Sequence, residues 1–240
     1  MALMLRAIHG NRPTILGEDF AGTAALSKHW IETVQDGRAI AVDIDEQTLS
    51  RAGAHECLRT VVGDVREVSD SVDCLFVGNF SIGYLHSRAE LVAYLKHARK
   101  RLNNGGIFVC DTYGGQTAFI RGSFDREIEL ADGKRCTYRW EQRDADPITG
   151  MVTNAIHFRV FDGDEVILDI HDAFIYRWRL WSLPELREAL LESGFTSTDV
   201  YASLPDAVDD EGNAYAEPIR DPEWLDDSYI VCVAGRTAKA

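Results

Sequence analysis

Apolar positions along this chain alternate between two spacings. Thr14 to Gly17 is a short apolar run, followed by an amphipathic pattern from Ala24 to Glu32; Arg38-Ala-Ile-Ala-Val-Asp43 is a second buried run that ends in an acid, and Asp45 to Ala54 has helical character. Thr60-Val61-Val62 begins a third strand and Asp73 to Gly78 forms a fourth. Leu91, Tyr94, Leu95 and Ala98 recur at helical spacing before Leu102, Asn103 to Gly106 supply a helix stop, and Gly106 to Cys110 reads as a fifth strand. Strand and helix alternate over residues 13–112, which predicts a parallel sheet covered on both faces. After about residue 135 the spacing changes to strand-like stretches at Thr137–Arg143, Thr153–Phe161 and Ile167–Trp178, with turns at Pro147-Ile-Thr-Gly150 and Asp162-Gly163. That pattern predicts an inserted antiparallel meander over about 135–180. Ser182-Leu-Pro-Glu185 is a capping box opening a helix to Glu192, with Gly194 as its stop. Phe195–Tyr201 and Tyr229–Ala234 are the closing strands, separated by a long acidic connection from Asp206 to Asp227.

A length of 240 residues with six prolines fits a single domain, residues 1–240. No apolar run approaches the ~18 residues of a membrane span. The opening Met1-Ala-Leu-Met-Leu is interrupted by Arg6 and His9, which predicts the start of a helix in a cytoplasmic protein rather than a secretory leader. The five cysteines are dispersed without a CxxC pair, so neither a disulfide framework nor a zinc site is expected, and no metal is assigned. Cys74, Cys110 and Cys232 lie in apolar runs and read as core. A net charge of −14 disfavours a nucleic-acid partner, since duplex phosphate is held by clustered Lys and Arg.

The densest chemistry lies in Glu18-Asp-Phe-Ala-Gly-Thr-Ala24, between the first strand and the first helix. A strand, a small-residue turn and a helix start make a binding corner lined by free N–H groups. Two carboxylates there would repel a pyrophosphate and attract a ligand with a sulfonium and an ammonium group, which points to S-adenosylmethionine. Gly22 leaves room for the methionine portion and Glu18 can face its ammonium group. Asp43 can accept from both ribose hydroxyls. Asp64 can accept from the adenine amino group, with the Val65 N–H on a ring nitrogen, while Asn79 and Phe80 border the transferring methyl. A plainer reading makes Glu18 and Asp19 helix caps and Asp43 and Asp64 ordinary strand-end turn residues.

Taken with Ala41-Val-Asp-Ile-Asp45, Gly63-Asp-Val65, Asn79-Phe-Ser81, Gly105-Gly-Ile-Phe-Val-Cys-Asp-Thr-Tyr-Gly-Gly115 and Trp178-Arg-Leu-Trp-Ser-Leu-Pro-Glu185, the first motif resembles that of a bacterial subgroup of class I SAM-dependent methyltransferases. The resemblance runs from about Pro13 to Gly235. It implies an α/β, Rossmann-like, seven-stranded, mostly parallel sheet with helices on both faces and its last strand antiparallel, plus the inserted antiparallel meander. It also implies cofactor contacts from Glu18, Phe20, Ala21, Gly22, Asp43, Ile44, Asp64, Val65, Asn79 and Phe80, with methyl transfer to a small-molecule acceptor by in-line displacement. Phe20 and Ala24 stand where the superfamily usually has glycine. Similar proteins carry a longer N-terminal helical segment that closes over the cofactor, whereas about a dozen residues precede the first strand here.

A base is optional in such a displacement; Tyr84, His86 and Tyr113 are the candidates, and an exposed loop position is the plainer reading of His86. The triplets Tyr138-Arg139-Trp140 and Tyr176-Arg177-Trp178 alternate aromatic and cationic side chains, which predicts one aromatic and one basic face. One reading makes Arg177 or Arg179, with Tyr113, the acceptor contacts. The plainer reading has the arginines balancing acids such as Glu141 and Asp172. Two other functions stay open. One is a protein that binds the cofactor or S-adenosylhomocysteine without catalysis, assembled through the meander, for instance as a homodimer. The other is an NAD-dependent oxidoreductase, for which G-x-G-x-x-G is missing.

Overall fold

The computed structural model describes residues 13–202, 207–208 and 214–238. Apolar runs bounded by turns become β1 (Ile15–Asp19), β2 (Arg38–Asp43), β3 (Leu58–Val62) and β4 (Val72–Val77), with α1 (Ala25–Thr33) after β1 and α2 (Glu46–Leu49) after β2. A 3₁₀ turn at Ser81–Tyr84 leads into α3 (Arg88–Arg101), which runs directly into β5 (Leu102–Gly115). Strands β6 (Gly122–Glu129), β7 (Arg135–Asp146), β8 (Met151–Asp162) and β9 (Glu165–Arg179) follow, then α4 (Leu183–Glu192) and β10 (Ser197–Ala202). A two-residue ladder joins β11 (Ala207–Val208) to β12 (Ala214–Tyr215), and β13 (Ser228–Arg236) returns to the main sheet. The N-terminal helix expected from Met1 to Leu5, and much of the acidic connection after Asp206, lie outside the described residues.

The main sheet has seven strands in the order β10-β13-β5-β4-β1-β2-β3. Pairs β1–β2, β1–β4, β2–β3 and β4–β5 are parallel, and β13 is antiparallel to both β5 and β10, as the family resemblance implies for the last strand. One face packs Leu75, Val77 and Phe108 against Leu91, Tyr94 and Leu95 of α3 and Leu186 and Leu190 of α4. The other buries Leu16, Ile107 and Val109 with Trp30 of α1. Helices thus cover both faces, because strands buried on both sides leave no polar face to water. Cys74 and Cys110 are fully buried, Cys232 is half-buried, and no disulfide forms. No helix among the described residues is long and apolar enough to cross a membrane.

Two elements differ from the sequence reading. The helix expected over Asp45–Ala54 shrinks to α2 and a 3₁₀ turn at Ser50–Ala52, since the Asp45 side chain caps Thr48 N–H at 3.0 Å and Gly53, at φ 72°, ends the turn. The antiparallel sheet has four strands, β6-β7-β8-β9, and begins at Gly122 rather than near residue 135. Strand β6 escaped notice because it is an exposed edge with charges on both sides, so it carries almost no period-two hydrophobic signal.

The two faces of this sheet differ as its alternation requires. Cross-strand register places Phe124, Trp140, Ile156 and Phe174 in one row, while Asp125, Arg139 and His157 share the opposite face. The predicted basic face is in fact charge-balanced. Arg139 pairs with Asp125, Arg159 with Asp169, and Arg143 bridges Glu141 and Asp172 at 2.8 and 2.6 Å. Glu141, His157 and Asp172 lie close enough together to suggest a cation site. However, His157 Nδ1 accepts from the Asp172 N–H, Nε2 donates to Glu141, and the Arg143 guanidinium already bridges the two carboxylates, so the group's donor atoms are engaged with one another.

The turn after β4 docks the two sheets. Gly83 sits so near β9 that a Cβ there would lie 2.7 Å from the Trp178 Cβ. Around it His86 Nε2–H donates to the Arg177 carbonyl (2.9 Å), Arg179 donates to the His86 carbonyl (3.1 Å), and Trp181 Nε1–H donates to the Leu85 carbonyl (3.1 Å).

Candidate cofactor and acceptor site

The C-terminal ends of β1, β2, β3, β4 and β5 converge where open α/β sheets bind ligands. After β1 the chain turns through Phe20 (φ 57°), Gly22 (φ 53°) and Ala24 (φ 54°), so the two residues standing where glycine is usual adopt the left-handed backbone nonetheless. That geometry costs an L-residue roughly 1–2 kcal/mol and is held by neighbours. The Ala21 N–H donates to the Val42 carbonyl (2.9 Å) and the Gly22 N–H to Asp43 Oδ2 (2.7 Å). A Cβ on Gly22 would meet only the Thr48 methyl, at 4.0 Å, and one on Gly63 would meet nothing within 4 Å. Both glycines therefore face open space. Asp43 Oδ1 accepts from the Asp45 N–H at 2.9 Å, leaving each carboxylate oxygen a further lone pair. Ile44 beside it is 77 % exposed.

The two carboxylates of the first motif are placed differently from the sequence expectation. Glu18 is buried and turned into α1, accepting from Ser27 N–H (2.8 Å) and Ser27 Oγ (2.5 Å); burial raises its pKa against those hydrogen bonds. This is the helix-anchoring role of the plainer reading. Asp19 does not enter the corner at all. Its carboxylate is fully buried, accepting from Arg101 at 2.8 and 3.0 Å and from the Tyr94 hydroxyl at 2.7 Å. The argument from two free acids is thereby corrected: Asp19 is matched by a cation across the sheet, and Asp43 is the acid at the open corner.

Asp64 accepts from Arg66 Nε (2.8 Å) and the Arg66 N–H (2.8 Å), and these bonds hold its pKa down to about 2. Val65 is buried in the core beneath it. Asn79 (φ 54°) and Phe80 (φ 59°) form a second left-handed turn, and their N–H groups donate to Asp111 Oδ2 (2.9 Å) and Oδ1 (2.7 Å). Asp111, near the end of β5, belongs to the Gly105–Gly115 motif of the sequence, where it carries no assigned role. An acid inside the apolar run Ile107 to Cys110 and Thr112 was the available signal. Burial pushes its pKa up to about 6 against the hydrogen bonds of Phe80 and Asn79.

Because that value is raised, the folded state binds the proton more tightly than the unfolded chain. The Asp111 contribution to stability is therefore fully present below about pH 4 and is lost as pH rises through about 6, roughly 3 kcal/mol in all. Urea unfolding at about pH 4.5 and about pH 7.5 should show Asp111→Asn gaining ~2 kcal/mol relative to wild type at the higher pH. A difference independent of pH would remove Asp111 as the titrating group.

Phe80 joins this corner to a cage of aromatic rings, with centroids 5.0 Å from Tyr113, 5.8 Å from Trp140 and 5.7 Å from Trp178. Tyr113 is drawn into a closed network: its hydroxyl donates to Gln142 Oε1 (3.1 Å) and accepts from Asn154 Nδ2 (3.2 Å). Tyr84 stacks on Phe20 at 6.0 Å. Burial raises the pKa of both tyrosines, so neither is available as an anionic base near neutral pH. His86 is tied to β9 as described. Arg177 is exposed at the sheet surface, and Arg179 is spent on the His86 carbonyl, on Glu185 (3.3 Å) and over the Trp181 ring (3.9 Å). The structure does not bring these two arginines to the aromatic cage.

No family model and no curated protein matches this sequence. Solved structures do match. SAM-bound CalS10, an amino pentose methyltransferase from Micromonospora echinaspora, is 16 % identical with a TM-score of 0.68, over 97 % of this chain and 87 % of that one. This chain shares its fold. The sugar N-methyltransferase KedS8 from Streptoalloteichus sp. (16 % identity, TM-score 0.66, 98 % and 85 % covered) has the same methyltransferase fold. So does a SAM-dependent methyltransferase from Clostridium acetobutylicum (18 % identity, TM-score 0.61, 94 % and 84 % covered). At these identities the likeness establishes the methyltransferase fold and nothing of the acceptor.

Proposed function

We propose that this chain is a SAM-dependent methyltransferase acting on a small-molecule acceptor. The observation that carries this reading is the corner after β1. Gly22 and Gly63 face open space, Asp43 keeps spare lone pairs beside Gly22, and Ile44 stands exposed beside Asp43. Those groups suit an adenosyl ligand, with Asp43 on the ribose, Ile44 and Asp64 bordering the adenine, and the turn of Phe20, Ala21 and Gly22 against the methionine portion. The cofactor supplies an activated methyl on a sulfonium. The protein's part is to position the acceptor, exclude water and hold the line of attack. Phe80 does this by belonging both to the turn pinned by Asp111 and to the aromatic cage.

None of the three candidate bases is placed as a free base. Tyr84 and Tyr113 are held neutral, and His86 is bonded to β9. An acceptor that arrives with its own lone pair, such as an unprotonated amine, therefore suits the site better than one that must be deprotonated by the protein. A protein that binds the cofactor without transferring its methyl would have the same corner. Calorimetric titration separates ligand classes first: S-adenosylhomocysteine and S-adenosylmethionine should bind with micromolar affinity and NAD should not. Absence of binding by both adenosyl ligands would defeat the reading. Transfer of a labelled methyl group would then distinguish an enzyme from a binding protein.

A further inference from the structure

A cavity of about 410 Å³ opens beside Phe80, between the end of β5, β13 and the aromatic face of the second sheet. Its size is that of a small-molecule site. Its walls are Phe80, Ile120, Phe124, Trp140, Tyr229 and Ile230. Three of these, Ile120 (60 %), Phe124 (58 %) and Ile230 (55 %), leave most of their surface exposed, so the mouth is apolar as well as the wall.

Apart from the Ser123 and Tyr229 hydroxyls, the polar side chains lining the cavity are already engaged with one another, with backbone carbonyls or with a surface partner. Gln142 Nε2 donates to the Ala118 and Ile120 carbonyls at 2.9 and 2.8 Å, and its Oε1 is taken by Tyr113. The Thr117 and Ser228 hydroxyls are bonded to each other. Arg121 is the cation among the lining residues, and it lies at the rim, 2.6 Å from Asp144, with both side chains more than half exposed. An anionic or polyhydroxylated molecule buried here would lose its hydration against two hydroxyls and no buried cation, too few partners to replace it. An apolar ring would gain the aromatic walls.

We propose that this cavity holds the acceptor, and that the acceptor is an apolar, unphosphorylated molecule whose flat ring lies against Trp140. The proposal rests on the methyltransferase reading, because that reading makes the space beside Phe80 the acceptor side.

The neutral, polarity-sensitive fluorophore N-phenyl-1-naphthylamine tests the site on the full chain in the presence of S-adenosylhomocysteine. A saturable one-to-one fluorescence rise is expected. Ile230→Arg, which puts a charge in the mouth, should weaken it at least about tenfold, while Ile175→Arg, at an exposed apolar position of β9 outside the cavity, should leave it unchanged. Glucosamine 6-phosphate in about hundredfold excess should not displace the probe, since a phosphate finds no buried cation. Equal binding by Ile230→Arg, displacement by the phosphorylated sugar, or no probe binding by a protein that does bind S-adenosylhomocysteine would each overturn the proposal. Probe binding without any S-adenosylhomocysteine binding would instead count against the methyltransferase reading.

Discussion

Arg101→Ala should lower the unfolding free energy by about 3–5 kcal/mol, because it leaves the Asp19 carboxylate buried without its cation. The Arg101 and Asp19 side chains are 1 % and 0 % exposed, and together with the Tyr94 hydroxyl they form the contact between the base of α3 and the last residue of β1. Burial already works against ionisation of Asp19, and Arg101 is the principal opposing influence. Without it the carboxyl must take up a proton or open the interface to water. The double variant Asp19→Asn with Arg101→Met should recover a large part of the loss, since it removes the charge that the single variant strands. Urea unfolding of the single and double variants measures both effects. A loss below ~1 kcal/mol for Arg101→Ala would mean the pair is not closed to water.

Asp43→Ala should weaken S-adenosylhomocysteine binding by about 2–4 kcal/mol, a factor of roughly 30 to 1000 in affinity. Two causes act together. The ribose loses its charged acceptor, and the Gly22 N–H loses the partner that holds the turn at 2.7 Å. Stability should change much less than affinity, because Asp43 is only half-buried. Calorimetric titration of the variant checks the affinity. An unchanged dissociation constant would place the ligand elsewhere. Asp43→Asn should fall between wild type and alanine, as it keeps one acceptor oxygen and turns the other into a donor.

The elements on which these predictions rest were unequally visible in the sequence. Asp43 could be named because it ends an apolar run, and a residue at such an end faces the rim of a parallel sheet wherever the remaining chain goes. Asp111 and Asp19 are also acids at or near strand ends, yet nothing local separates them from Asp43. Their roles are decided by partners far along the chain: Asn79 and Phe80 for one, Arg101 and Tyr94 for the other. The same holds for Arg177 and Arg179. Their alternation with aromatic residues gave the aromatic face of β9, but the opposite face is charge-balanced rather than basic, and only cross-strand register and the docking of the β4 turn show which residues meet the cage.

By itself, the sequence determined the periodic features of this protein. Apolar runs and a capping box dictated a parallel sheet covered on both faces and an inserted meander, because burial of alternating faces is a local consequence of residue order, while the antiparallel last strand followed only from the family resemblance. The left-handed turn at Phe20 and Ala24, the pinning of the β4 turn by Asp111, the charge-balanced face of β7 and β8, and the apolar cavity beside Trp140 were decided only by the tertiary structure. Each depends on which of many similar acids, arginines and aromatics come within hydrogen-bonding or van der Waals reach. That is a matter of distance in space, which spacing along the chain does not encode.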